Sequence, residues 1–177
     1  MLDFPALAGS GQPDLAAGPG ELVVASWLEP GADDAAALLE SSLVAGVWSP
    51  PRTVARGADV FVNWADVPSV VPLTANAWIA HWLKLQPESF GVYDVAIAIS
   101  SDAGATWSVP FVLNDDGTET EHGFVTLFPW GDGAGVVWLD GRQAAAWSFD
   151  TPDALLGTEL RFAKLALGGD VLESGVI

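Results

Sequence analysis

The sequence has no cysteine, one methionine and one tyrosine, and its six lysines and arginines face 23 aspartates and glutamates. Without cysteine there is no disulfide frame and no thiolate metal site, and the compartment stays undetermined, secreted or periplasmic space included. A formal charge of −17 excludes nucleic acid as a partner, because binding it needs clustered Lys and Arg to displace phosphate counterions. Such acidity ordinarily serves solubility. No apolar run approaches the roughly 18 residues of a membrane helix, so no membrane insertion is expected. The opening MLDFPALAGSGQPD carries Asp3 and no Lys or Arg, unlike a secretory signal. One domain is expected from 177 residues, since domains usually run to about 100–150.

What the chain does contain is turn residues and flat side chains: nine Trp, 19 Gly and 12 Pro, a mixture that favours many short strands. Three segments, ELVVASWLEP, AWIAHWLKLQ and AGVVWLDGRQ, share an apolar run with a Trp-Leu pair. Their tryptophans are Trp27, Trp82 and Trp138, at spacings of 82 − 27 = 55 and 138 − 82 = 56. Upstream of each lies a further apolar element, PDLAA, PSVVP or FVTLFP. Downstream, GVYDVAIAIS alternates Val95, Ile97 and Ile99 with Ala96 and Ala98, which predicts a half-buried strand. TELRFAKLAL takes that place in the third unit, and the acidic, Ala-rich 33–42 stretch in the first. The repeat makes that stretch strand and loop, although its composition also suits a helix. Each unit of about 55 residues is four short strands, the size of a β-propeller blade. The chain is therefore read as all-β, with repeats at 12–57, 66–114 and 122–177.

After the third strand of unit two comes SSDAGATWSVP. Ser100, Asp102, Gly104, Thr106 and Trp107 match the Asp-box of the sialidase (BNR-repeat) superfamily position for position, and the flanking TEHGFVTLFP and VVWLDGR resemble bacterial sialidase-like proteins. The resemblance implies a six-bladed propeller. The motif itself reads as a hairpin turn: Asp102 accepts backbone N–H groups, Gly104 tolerates positive φ, and Trp107 packs between blades. Unit one carries a degenerate copy, with Ser41, Ser42, Gly46 and Trp48 set against Ser100, Ser101, Ala105 and Trp107.

In an antiparallel blade the loops alternate between two faces, and the resemblance implies a substrate pocket on the face away from the Asp-boxes. That face collects Asn63, Trp64 and Asp66 from one blade crossing, and Asp115, Asp116, Glu119, Glu121 and His122 from the next. Lys84, Tyr93, Asp140 and Arg142 join them from loops after the Trp strands. Sialidases cleave with a tyrosine nucleophile, a carboxylate base, an acid on the leaving oxygen and arginines on the substrate carboxylate. By that resemblance Tyr93 is the candidate nucleophile, Asp66 or Glu121 the acid and Arg142 the clamp, with Trp64, His122 and Asn63 as substrate contacts. The structural alternatives are a salt bridge from Arg142 to Asp140, a hydrogen bond beneath the loop for His122, and core packing for Trp64 and Trp78. The acidic NDDGTETE loop could hold Ca²⁺ or simply be solvated, and no metal or cofactor is expected.

Two departures weigh against catalysis. Only Arg52, Arg56, Arg142 and Arg161 are present, too dispersed for an arginine triad, and the family's Phe-Arg-Ile-Pro entry motif is absent. Three units are also fewer than the four to eight blades of a closed ring, and the third stops at GGDVLESGVI, where its last strand should begin. The expectation is the N-terminal half of a six-bladed, sialidase-like protein that acts on glycans, with this part alone inactive. The alternative is a non-catalytic propeller that binds glycan or protein. Either the missing half-propeller or a second copy would pair with the exposed strand edges.

Overall fold

The computed structural model describes residues 3–87, 92–146 and 157–177. Alternating apolar residues punctuated by Gly, Pro and Asp turns fold into three antiparallel sheets, one per repeat. The first holds β1 (Gly11–Ala17), β2 (Val23–Pro30) and β3 (Ala36–Val44), with an outer strand broken into β4 (Val47–Trp48) and β5 (Arg52–Gly57). The break falls at Pro50 and Pro51, which cannot donate to a ladder. The second holds β6 (Ser69–Pro72), β7 (Trp78–Leu85), β8 (Tyr93–Ser100) and β9 (Phe111–Val112). The third holds β10 (His122–Trp130), β11 (Gly133–Asp140), β12 (Glu159–Leu165) and β13 (Val171–Val176).

The repeat tryptophans sit on equivalent second strands, β2, β7 and β11. The 33–42 stretch is a strand after all: Asp33 and Asp34 take φ of 54° and 58° and turn the chain into β3, which is paired on both sides. Three expectations need correction. The β8 strand is buried on both faces, because Ala96 and Ala98 pack on the first sheet while Val95, Ile97 and Ile99 pack on the third. Sequence GGDVLESGVI forms the fourth strand of the third sheet rather than stopping short of it, with Lys164 opposite Glu173 and Phe162 opposite Gly175. The unit-one turn is a tight hairpin, with Ala45 and Gly46 at φ 51° and 79° between paired Val44 and Val47. Gly46 therefore corresponds to Gly104, at φ 77°, rather than to Ala105. Leu43, opposite Val23, takes the place that Ser100 holds opposite Trp78.

Sheets pack with the repeat tryptophan toward the preceding layer. Trp82, Ala96 and Ala98 meet Leu28, Ala36 and Leu38 of the first sheet. Trp138, Val136 and Ala163 meet Ile79, Val95 and Ile97 of the second. Small alanines on one face leave room for the large aliphatics of the other, and each buried large side chain contributes about 1.5–3 kcal/mol. Among the described residues no sheet packs on Trp27, and Phe4 and Ala6 cover it. Phe4 meets Trp27 and Trp48 edge-on at 5.0 and 5.1 Å, and the Leu7 amide donates to Glu29 at 3.2 Å.

The Ser100–Trp107 segment forms the hairpin turn that its residues predict. Asp102 accepts from the Thr106 hydroxyl at 2.7 Å, the Thr106 amide at 2.8 Å and the Ser100 hydroxyl at 2.8 Å. Those bonds, led by Thr106, lower its pKa to about 2. Ser100 in turn accepts the Gly104 amide at 2.9 Å. Trp107 packs with Val54 of the first sheet and Ala98 of the second. The Ala103 amide donates to Asn76 in the β6–β7 loop at 2.8 Å, so both loops share one face, as antiparallel alternation requires. The crossings between sheets lie on the other.

Candidate functional site

On that other face the chain crosses from β5 to β6 through residues 58–68 and from β9 to β10 through 113–121. Asn63 opens an Asx turn, its Oδ1 accepting the Ala65 amide at 3.0 Å. Its Nδ2 donates to Asp66 at 2.6 Å. The second Asp66 oxygen accepts the Phe124 amide at 2.5 Å. Phe124 lies at a register shift of β10 with φ 52°, a strained conformation for a bulky residue that the Asp66 carboxylate holds in place. Gly123 permits this approach, since a Cβ there would lie 2.7 Å from Asp66 and 3.1 Å from Tyr93.

These elements surround an open cleft of ≈ 520 Å³ lined by Asn63, Trp64, Tyr93, Glu121 and Phe124, with Phe61 beneath. Tyr93 stacks on Phe61 at 4.7 Å between centroids. Burial, then the negative charges of Asp66 and Glu121, push the phenol up to about 12. Asn63 and Glu121 lie within hydrogen-bonding reach of it, and the Glu121 carboxylate favours the protonated phenol. Trp64 projects from the rim with 92% of its surface exposed, while Glu121 and Phe124 are also open to solvent.

The sequence thus brings Asn63, Trp64, Asp66, Tyr93 and Glu121 to one place. His122 and Arg142 belong to a neighbouring network beneath the crossing loop. Arg142 binds Asp140 through Nε at 2.7 Å and Nη2 at 2.8 Å, and approaches Asp116 at 3.7 Å. That is the salt bridge to Asp140 with both forks occupied, so Arg142 is not among the groups lining the cleft. Burial works against the Asp140 charge, but hydrogen bonds from Arg142 and Trp138 outweigh it and hold the pKa at about 2. Fully buried His122 touches Asp116 at 3.2 Å and lies 3.7 Å from both Asp94 and Asp140. Asp116, His122 and Asp140 are close enough to surround a cation, with donor atoms within 4.8 Å of one another. Arg142 already pairs with Asp140 there at 2.7 Å and Arg161 Nε stands 4.0 Å from it, so two guanidinium groups already offset these carboxylates.

No family model matches the chain, and no curated protein matches it.

Of the other residues singled out, Trp78 packs in the core, 2% exposed. His81 is buried, bonded to the Ser69 hydroxyl at 2.9 Å, and burial lowers its pKa to about 3. Trp64 overturns the expectation of core packing. Sequence reasoning missed Phe61, Phe124 and Asp94, and it placed Arg161 in a strand without seeing that it approaches Asp140. Phe61 and Phe124 flank motifs that were read, but strand alternation breaks down at the Phe124 bulge.

Proposed function

We propose that this chain is a propeller-type glycan-binding module of sialidase-like architecture, its three sheets acting as consecutive blades and its crossing-loop cleft as the binding face. The blade reading is supported by the equivalent tryptophans, by the Asp-box geometry, and by contact of β1 with β6 and of β6 with β10 along one side of the stack. Trp64 carries the functional reading. An indole 92% exposed forgoes the burial that a large aromatic normally gains, and it stands beside Asn63 and Glu121, which offer an amide and a carboxylate to sugar hydroxyls. The lining residues include no cation, which favours a neutral sugar over one bearing a carboxylate.

Binding without turnover fits the chemistry of the cleft better than hydrolysis. Both Asp66 oxygens are engaged, and a phenol pushed up to about 12 is a weak nucleophile near neutral pH. One observation favours a second reading: Glu121, a candidate acid, lies within hydrogen-bonding reach of the Tyr93 phenol, an arrangement similar to the tyrosine–carboxylate pair of a sialidase-type hydrolase. A glycan array read beside a fluorogenic glycoside assay separates the two. Binding of neutral glycans that is lost in Trp64→Ala, with no turnover, supports the module. Sialoside turnover lost in Tyr93→Phe establishes the hydrolase, and silence in both assays overturns both readings.

A further inference from the structure

Trp64 is not the only aromatic ring that the crossing-loop cleft holds in solvent. Phe124 is 57% exposed, and it reaches the cleft from β10 while Trp64 reaches it from the β5–β6 crossing. Phe124 also keeps a φ of 52°, which is strained for a bulky residue and persists only where the surroundings enforce it. They do so here. The Phe124 amide donates to one Asp66 oxygen at 2.5 Å, Gly123 leaves the space for that carboxylate, and the register of β10 against β11 shifts between Gly123 and Thr126. The other Asp66 oxygen accepts Asn63 Nδ2 at 2.6 Å, and Asn63 Oδ1 closes the turn that carries Trp64. One buried carboxylate therefore fixes the backbone beneath both exposed rings.

Resting on the glycan-binding reading above, we infer that Trp64 and Phe124 are separate stacking platforms and that the cleft takes consecutive residues of a neutral oligosaccharide rather than a single sugar. A pyranose presents a face of C–H groups that lies flat on an aromatic ring, with its hydroxyls directed outward to polar neighbours, here the exposed Glu121 carboxylate. Phe124 is held on strained backbone and forgoes burial, so its ring adds nothing to the core and is available to a ligand. The cleft has room for more than the sugar on Trp64. Its ≈ 520 Å³ falls among sites that enclose drug-sized ligands, roughly 300–1,000 Å³, which is more than one pyranose ring fills.

Nitrogen–proton correlation spectra of the intact chain, titrated with glucose, galactose and mannose and with the linear oligomers of each up to the tetrasaccharide, test this by the dependence of affinity on length. For at least one series affinity should rise about tenfold from the monosaccharide to the di- or trisaccharide, the scale of one added aromatic contact, and then level off. Phe124→Gly should bring that ratio back toward unity. The substitution suits the backbone, because glycine adopts this positive φ without strain, so the urea midpoint should not fall. Equal affinity at every length, or a ratio that survives in Phe124→Gly, overturns the inference and leaves the glycan reading standing. Absence of binding by every sugar and oligomer overturns both.

Discussion

Gly104 shows what a single position in this protein must satisfy. Its φ of 77° favours glycine, and a Cβ would stand 2.9 Å from the Trp78 ring and 3.0 Å from Glu40. Gly104→Ala should therefore lose more than about 1 kcal/mol in urea denaturation, because backbone strain and a clash with packed groups add. An unchanged midpoint would show that the turn relaxes. The need for glycine here was legible in the sequence, since the Ser-x-Asp-x-Gly-x-Thr turn is local and its bonds run within seven residues, Ser100 to Thr106. Glu40 was not legible. It occupies an apolar strand position, is fully buried, and pairs with Arg52 at 2.5 Å, with Arg52 lying over Trp78. Only the fold brings that cation to it. Trp64 was misjudged for a related reason: composition marks tryptophan as core, and a loop has no periodicity to say which way a side chain points.

Strand identity was legible because period-two alternation and a 55-residue recurrence are both properties of sequence. The depth of each strand was not, since burial on the second face depends on which sheet arrives there, as at Ala96 and Ala98. The residue two after each repeat tryptophan also illustrates the limit. Glu29 and Asp140 accept their own tryptophan's indole N–H at 3.0 and 2.8 Å, while Lys84 reaches toward Asp59 at 3.7 Å. Asp140 does more, joining β11 to the β9–β10 crossing through Arg142 and His122. Asp140→Ala should strand the Trp138 indole and Arg142 together. A loss of about 3–5 kcal/mol is expected, the scale for removing one partner of a buried ion pair. A loss below about 1 kcal/mol, measured by urea denaturation, would mean that Asp116 takes over both partners.

For the whole molecule, the buried titratable groups set the dependence of stability on acid. His81 is lowered from 6.5 to about 3 by burial, so the unfolded chain gains its proton first as pH falls below 6.5. Stability is lost progressively from 6.5 to about 3. Asp140, lowered from 3.8 to about 2, adds its own loss below 3.8. Glu40 acts in the opposite sense: burial raises its pKa above 4.5, so the folded chain takes up that proton first and regains stability as pH falls toward 4.5. A His81→Gln variant should flatten the slope between pH 6.5 and 4 in urea titrations and leave the steep fall below pH 4 in place. An unchanged slope would assign the acid limb to other groups.

The central claim is that an indole standing in solvent on the crossing-loop face meets a sugar, and the nine tryptophans make it directly observable. Nitrogen–proton correlation spectra, with the Trp64 indole signal assigned by its loss in Trp64→Phe, should be followed as neutral oligosaccharides are titrated in. A saturable shift of the Trp64 signal, with the buried Trp27, Trp78 and Trp138 signals unmoved, is the predicted result. A ligand that shifts other residues and leaves Trp64 in place, or a Trp64 signal indifferent to every glycan, would contradict it.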